Sequence, residues 1–338
     1  MTTAVASAAE IVADVRERGD EAVREWALRI DGLEPVRARA DGSRLPETEL
    51  LRLADRVRRW HELQRPGDVR SEIEPGVELE RRWLPLDSVG VYVPRGLVST
   101  LVMCAVPAQV AGVQRIVVAT PPDGAELVAA AAELLGVDDV YVLGGAQAVG
   151  WLAYVQRVSK IVGPGNAYVN EAKLLVSRDV AIDLPAGPSE VAVVLSDKAL
   201  RPLAELELAA QAEHGIETVC TLMVLDDETL DRIEALAPEH VVLLGAEAER
   251  LAPLICNAGA VFVGPFASVA LGDYATGGNH VLPTGGWARS TGGLGVETFL
   301  KPVVIQRVTS EGLGRLRPTV EALAAVEGLP LHARAVQR

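Results

Sequence analysis

Aromatic residues make up only 4% of the 338 residues, and basic residues are outnumbered by acidic ones, 32 to 46. The resulting net charge of −14 repels a phosphate backbone. The small number of aromatic side chains also leaves no platform on which unpaired bases could stack. We therefore expect no nucleic-acid partner.

Cysteine is scarce as well, and Cys104, Cys220 and Cys256 are scattered through apolar stretches. Their odd number and spacing exclude a disulfide frame and a zinc finger, and favour thiols of a reducing compartment. The longest stretch without charge, 251–272, is interrupted by proline and glycine, which indicates buried core and loops and not a membrane span. With no basic segment at the N-terminus to suggest a signal peptide, we expect a cytoplasmic chain that does not contact membranes.

Apolar residues reach 49% and charged residues 23%, as in ordinary globular proteins. Short β-branched runs alternate with Ala- and Leu-rich stretches. The runs predict strands at 89–93, 115–119, 140–143, 191–195, 219–225, 241–244, 261–263 and 303–308. The remaining periodicity predicts helices at 8–30, 47–63, 124–135, 200–211, 246–257 and 312–326. This alternation predicts parallel α/β sheets with helices on both faces.

Gln211 and His214 lie three residues apart at the end of a predicted helix, so both face one side and could bind one metal ion. A polar helix terminus is the simpler interpretation. Glu239 and His240 precede the strand at 241–244 and could supply acid–base groups. Because neighbours on a strand point to opposite faces, we expect them to serve different steps and not to act as a dyad.

Asp273 and His280 lie seven residues apart in a glycine-rich loop, which is otherwise an ordinary surface loop. His332 stands near the C-terminus, where a histidine is usually only solvated. No G-x-G-x-x-G sequence follows a predicted strand, and the glycines of 144–150 have the wrong spacing. Spacing alone predicts an α/β enzyme with a candidate metal site.

Ten short runs, taken together and in order, resemble the histidinol dehydrogenase family. They lie at 18–22, 92–94, 144–148, 160–166, 186–190, 211–214, 237–240, 272–274, 279–284 and 327–333. The resemblance implies two Rossmann-like α/β/α domains with an incomplete dinucleotide-binding topology, and a helical C-terminal tail. On this basis we expect residues 1–91 and 190–290 to form a discontinuous main domain and residues 92–189 to form an inserted cofactor-side domain. Residues 291–338 would pack on a partner subunit.

The resemblance also implies roles for individual residues. The family's zinc ligands, which also contact substrate, fall on Gln211, His214, Asp273 and His332. Its base and acid fall on Glu239 and His240. Further substrate contacts fall on Ser189, His280 and Glu327. Its NAD contacts fall on Tyr92, Gln147 and Asn166.

The activity implied is the four-electron oxidation of L-histidinol to L-histidine through the aldehyde, in histidine biosynthesis. It would use NAD and one Zn²⁺ per subunit, in a homodimer with shared active sites. The alternatives are oxidation of another amino alcohol or a diol, and a catalytically silent paralogue. The chain departs from the family in shorter segments after Tyr92 and between Gln147 and Asn166, and in Arg95 where glycine is typical.

Overall fold

A computed structural model describes residues 7–185 and 187–338. Its strands are β1 (Val36–Arg37), β2 (Val69–Glu74), β3 (Val77–Pro85), β4 (Ser88–Tyr92), β5 (Arg115–Thr120), β6 (Asp139–Val142), β7 (Lys160–Val162), β8 (Ala181–Ile182), β9 (Glu190–Leu195), β10 (Val219–Val224), β11 (His240–Leu244), β12 (Ala260–Val263) and β13 (Leu300–Val308). Its α-helices are α1 (Ala8–Arg18), α2 (Asp20–Ile30), α3 (Glu47–Gln64), α4 (Val98–Ala111), α5 (Ala125–Leu134), α6 (Gly145–Gly150), α7 (Ala167–Val176), α8 (Arg201–Ala212), α9 (Thr229–Leu236), α10 (Ala246–Glu249), α11 (Val269–Tyr274), α12 (Ser310–Val326) and α13 (Pro330–Ala335). The chain divides into two compact units, of which the first holds the residues up to Gln64 and Leu86–Phe299, and the second holds Arg65–Pro85 and Leu300–Arg338.

The first unit contains a six-stranded sheet in the order β1-β6-β5-β4-β7-β8. All its neighbours pair in parallel except β1, which runs antiparallel to β6. The chain leaves β4 in one direction to β5 and β6, and later returns on the other side to β7 and β8. This reversal creates a crevice at the carboxyl ends of β4 and β7, where nucleotides bind in doubly wound sheets.

The helices α1 and α2 bury one face each on this part of the molecule. Ser7 and Glu10 form a reciprocal capping box that starts α1, with the Ser7 amide donating to Glu10 Oε2 at 2.8 Å. Ile11, Val15 and Val23 are buried in a cluster with residues of α6 and α7. The single helix predicted at 8–30 is broken because Gly19 adopts a φ of +59° between α1 and α2.

A second sheet of the first unit has four parallel strands in the order β10-β9-β11-β12. Its inner strands β9 and β11 are buried, with apolar clusters on both faces. His240 opens β11 opposite Val191 of β9 and Ala260 of β12. The amino ends of these strands therefore hold the region singled out in the sequence at 239–240.

The second unit is an antiparallel sheet in the order β13-β3-β2, followed by α12 and α13. Strand β13 pairs with β3 along its whole length, from Leu300 opposite Pro85 to Val308 opposite Val77. Only β13 and the following helix are predicted from the sequence. Strand β2 is exposed at every position and alternates charged with apolar residues, so it lacks the apolar run that marks the other strands.

The predicted α/β fold with parallel sheets is confirmed, but its parts are divided differently from the prediction. Strand β1 pairs with β6, and α1 packs on α6 and α7, so the residues before 64 belong with the sheet expected to form a separate inserted domain. Their apolar faces find that partner because α6 and α7 present buried Ala and Val side chains to them. In the part of the chain that is described, no helix is both long and apolar enough to cross a membrane.

Candidate active site

Glu239 and His240 meet at the backbone of Glu190. The Glu190 amide donates to Glu239 Oε2 at 2.9 Å, and the Glu190 carbonyl lies 3.0 Å from His240 Nδ1. His240 Nδ1 is also 3.5 Å from Glu239 Oε2. The two side chains therefore lie side by side and are buried, contrary to the expectation that they point to opposite faces. The reason is that Glu239 precedes β11, where the alternation of side chains has not begun.

Burial shifts both groups away from their charged forms. It raises the pKa of Glu239 to about 8, helped by the negative charges of Glu190 and Asp273 and opposed by the Glu190 amide. Burial lowers the pKa of His240 to about 4. At neutral pH the imidazole is unprotonated. With its Nδ1–H donating to the Glu190 carbonyl, Nε2 is the nitrogen that can accept a proton.

Asp273 and His280 form a second contact pair. His280 Nδ1 lies 3.3 Å from the Asp273 carbonyl and 3.8 Å from its Oδ1, and His280 Nε2 lies 3.4 Å from Thr100 Oγ1. Burial raises the pKa of Asp273 to about 6 and lowers the pKa of His280 to about 4. The loop 272–280 is thus partly buried and does not form the surface loop that its glycines alone would suggest.

Gln211 presents a buried amide whose Nε2 and Oε1 both lack a hydrogen-bond partner. It lies in the last turn of α8, and His214 follows the helix end with Nδ1 3.1 Å from the Gln211 carbonyl. A histidine that donates from Nδ1 to a carbonyl keeps Nε2 free as a ligand, which is the common arrangement around bound metals. The unpaired amide oxygen beside such an imidazole fits a metal that accepts nitrogen and oxygen ligands.

Among the described residues, no three histidine, cysteine, aspartate or glutamate side chains are grouped closely enough to hold a metal ion. Glutamine is not one of these four residue types, so Gln211 lies outside this set. The charge of His214 acts on Asp273, whose pKa it lowers, so the two side chains lie within electrostatic reach. Gln211, His214 and Asp273 therefore offer nitrogen and oxygen donors of the types that bind metal ions.

Tyr92 and Asn166 lie at or just beyond the carboxyl ends of the neighbouring strands β4 and β7. Tyr92 ends β4, while Asn166 caps α7, its Oδ1 accepting from the Val169 amide at 3.1 Å. Gly163, which follows β7, packs closely against the Tyr92 carbonyl. Only glycine fits there, because its φ is +108° and a Cβ would lie 2.2 Å from the carbonyl oxygen. Two of the three predicted cofactor residues are thus placed where the strand order reverses.

Gln147, the third, belongs to a turn that is already occupied. Asp31 Oδ2 accepts from Gln147 Nε2 and from the Gly144 amide, both at 3.0 Å. The Gly145 amide donates to the Tyr92 hydroxyl at 3.3 Å. A carboxylate and a phenol thus accept hydrogen bonds from these two amides, so neither amide is free to bind a phosphate. This agrees with the absence of the dinucleotide fingerprint from these glycines. The buried Oε1 of Gln147 is left without a partner.

The two sheets meet around a small cavity of about 110 Å³. Gly163 and Asp183 line it from the six-stranded sheet, and Ser189, Glu239 and His280 line it from the other side. A neighbouring cleft of about 630 Å³ is lined by Asn166, Ser189 and His214, among others. The two hollows share Ser189, so Asn166, His214 and His280 line adjoining spaces, each from a different predicted set.

Glu327 and His332 lie in the second unit. Glu327 ends α12, His332 lies on α13, and both are exposed. Their predicted roles as substrate contact and metal ligand remain predictions.

Sequence reasoning missed three residues that support the site: Asp31, Thr100 and Glu190. Only Glu190 belongs to a run that had been singled out, at 186–190, of which Ala186 is outside the described residues. Asp31 and Thr100 are distant in the chain from the residues they bind, so no local pattern identifies them.

The parallel sheets and the buried carboxyl–imidazole pair are those of an α/β enzyme. The profile of the histidinol dehydrogenase family matches residues 1–236 and 225–338. The chain belongs to the histidinol dehydrogenase family, a family of oxidoreductases, as the resemblance predicted.

Individual relatives agree with this membership. The chain is 38% identical to histidinol dehydrogenase of Photobacterium profundum, covering 97% of this chain and 87% of that protein. It is also 38% identical to histidinol dehydrogenase of Methanothermobacter thermautotrophicus, covering 98% and 92%. The crystal structure of histidinol dehydrogenase from Elizabethkingia anophelis matches with a TM-score of 0.89 at 29% identity, covering 98% of this chain and 90% of that one. The first alignment extends over 393 positions, more than the 338 residues here, so this chain is shorter within the aligned region.

Proposed function

We propose that this chain oxidises L-histidinol to L-histidine through the aldehyde, passing two hydrides in succession to NAD. The observation that carries the proposal is the buried Glu239–His240 pair, of which Glu239 lines the same cavity as Gly163, at the carboxyl end of β7. An alcohol held there faces Glu239 on one side and the segment that follows β7 on the other. Family membership supports the substrate.

His240 is the base of the first oxidation. Its imidazole is neutral at working pH because burial lowers its pKa, and its orientation is fixed by the Glu190 carbonyl. We assign to Nε2 the removal of the hydroxyl proton as the hydride leaves the carbinol carbon. The aldehyde remains in the site, away from bulk water.

Glu239 serves the second oxidation. Its carboxylate, once ionised, takes a proton from water, so that hydroxide adds to the aldehyde and forms the hydrate that gives up the second hydride. The Ser189 hydroxyl beside it lowers its pKa and so favours the ionised form. We assign Ser189 and His280, which line the same cavity, to the substrate, together with Glu327.

The donor set on the first unit fits a zinc ion. Gln211, His214 and Asp273 would hold it together with His332 of the partner subunit, and His214 is oriented for this by its hydrogen bond to the Gln211 carbonyl. When bound, zinc supplies a positive charge that holds and orients the imidazole and amino groups of the substrate.

The crevice between β4 and β7 is assigned to NAD. Tyr92, Gln147 and Asn166 would contact it, although Gln147 is fully buried behind the turn at 144–145. Because Gly144 and Gly145 are occupied, we do not place the phosphates there.

We further propose a cytoplasmic homodimer in which the C-terminal tail, from 291 onwards, completes the partner's site with Glu327 and His332. This arrangement makes activity depend on association, since a single subunit lacks one metal ligand and one substrate contact.

The proposal is tested by NADH formation with the purified zinc-loaded protein and a panel containing L-histidinol, other amino alcohols and diols. We expect two NADH per L-histidinol and release of L-histidine. Turnover of a different alcohol with none of L-histidinol would assign another substrate, and no turnover of any alcohol would support a silent paralogue.

A further inference from the structure

Lys173 and Asp183 form an ion pair that is removed from solvent. Lys173 Nζ lies 2.5 Å from Asp183 Oδ1, and the two side chains are 2% and 0% exposed. Isolating two charges from water is costly unless other hydrogen bonds satisfy them. Here those bonds go mainly to the amide and the carbonyl of one residue, Gly163.

The pair holds Gly163 from both sides. Asp183 Oδ2 accepts from the Gly163 amide at 2.7 Å, and Lys173 Nζ donates to the Gly163 carbonyl at 2.8 Å. Asp183 Oδ1 also accepts from the Leu184 amide at 2.7 Å. Both polar groups of Gly163, which packs against the carbonyl of Tyr92, are therefore fixed by the two charges.

The pair also fixes the start of α7. Lys173 lies on α7 and reaches back to Gly163, so the helix cannot shift relative to the segment that precedes it. Asn170 donates to the Gly165 carbonyl at 2.9 Å from the same helix. Asn166, the cap of α7, is thereby held in place from within the helix and from the preceding loop.

Lys173 and Asp183 also line the cavity that Glu239 lines. The cavity of about 110 Å³ is lined by Lys173 and Asp183 on one side and by Glu239 and His280 on the other. Residues 163–165 of the segment that the pair holds line the same cavity as Glu239 and His280.

We propose that Lys173 and Asp183 are a positioning pair, which sets the Gly163–Asn166 segment so that NAD is held at the correct distance from the acid–base residues. This inference rests on the proposed function. Neither side chain is assigned a proton transfer or a bond to the substrate.

The test compares Lys173→Met, Asp183→Asn and the double variant with the wild type. Each single variant leaves one buried group unpaired and should lower Tm, whereas the double variant removes both charges and should recover most of the loss. We expect Kd and KM for NAD to rise about tenfold in all three, since a misplaced segment weakens contacts that the nucleotide needs. The KM for L-histidinol and the bound zinc should stay within twofold of wild type.

The Tm and the Kd for NAD of the double variant together distinguish a positioning role from a purely structural one. If Kd for NAD returns to the wild-type value together with Tm in the double variant, the pair is only structural and the proposal is wrong. A double variant that does not fold also overturns it, because a positioning pair must be dispensable for folding. Arg201→Met with Glu205→Gln, which removes an exposed ion pair of α8, is the control and should leave both values unchanged.

Failure of the proposed function is recognised separately. Calorimetric titration with NAD alone measures Kd without turnover. A wild type that binds NAD but does not oxidise L-histidinol would overturn the substrate assignment and leave the positioning pair testable. A wild type that does not bind NAD would overturn both.

Discussion

Oε2 of Glu239 lies 3.5 Å from Nδ1 of His240, the next residue in the chain, and burial moves their pKa values in opposite directions. The carboxyl is held mostly protonated at neutral pH, while the imidazole is held neutral. Two adjacent groups thus have different protonation behaviour, which suits them to different proton transfers.

The two half-reactions should be separable by substitution. His240→Asn removes the base for the hydroxyl proton and should slow oxidation of L-histidinol by about 10²–10⁴-fold, and Glu239→Gln should mainly slow oxidation of added aldehyde to a similar extent. Stopped-flow recording of NADH with each substrate measures both. The exposed Glu247→Gln serves as the control. Equal modest losses of both steps in both variants would contradict the assignment.

Aldehyde oxidation should depend on pH through Glu239. Because burial raises the pKa of this carboxyl to about 8, the fraction ionised increases about tenfold per pH unit below that value and levels off above it. We expect the aldehyde rate to follow this curve between pH 6 and 9. Oxidation of the alcohol should not show this step, because the pKa of His240 lies near 4. A flat aldehyde profile would contradict the role of Glu239.

The same carboxyl should affect stability. A group whose pKa is raised in the folded state stabilises the fold fully below its ordinary pKa of 4.5, and this contribution is lost as the pH rises through about 8. The Tm of the wild type should therefore fall more between pH 6 and 9 than the Tm of Glu239→Gln. Calorimetry of both proteins measures the difference, and parallel Tm curves would show that Glu239 is not the group responsible.

Gln211→Met should change zinc binding and stability in opposite directions. Removing a buried amide without partners should stabilise the zinc-free protein by about 1–3 kcal/mol, whereas loss of its oxygen should weaken zinc binding. His214→Ala should remove bound zinc and both half-reactions. Elemental analysis and thermal unfolding measure the two effects.

Gln109→Met is the matched control for that experiment. Its amide donates to the Leu135 carbonyl at 2.6 Å and accepts from Arg58 at 3.0 Å, so the substitution should lower Tm and leave zinc unchanged. A lower Tm and full zinc content in Gln211→Met would show that Gln211 is not a ligand.

Sharing of the active site can be tested by mixing two inactive variants. If His332 completes the partner's site, subunits of His240→Asn and His332→Ala should form heterodimers with one intact site each. Random exchange at equal amounts should then restore about a quarter of wild-type activity. Exchange is confirmed by mass spectrometry of the mixed dimers, and confirmed exchange without recovered activity would mean that each subunit carries a complete site.

From the sequence alone came the strand–helix alternation and the family membership, because both depend on local information. Buried parallel strands such as β5 and β11 are apolar runs, and runs such as 237–240 are short segments whose order identifies the family. The charged, fully exposed β2 has no such run and was not predicted.

Only the tertiary structure decided which distant groups meet. The contact of Asp31 with Gln147 spans 116 positions of the chain, and the contact of Glu190 with Glu239 spans 49. The burial that raises the pKa of Glu239 and lowers the pKa of His240 likewise arises from the packing of separate segments. These properties depend on where desolvation and backbone hydrogen bonds act, and such long-range contacts leave no periodic trace in the sequence.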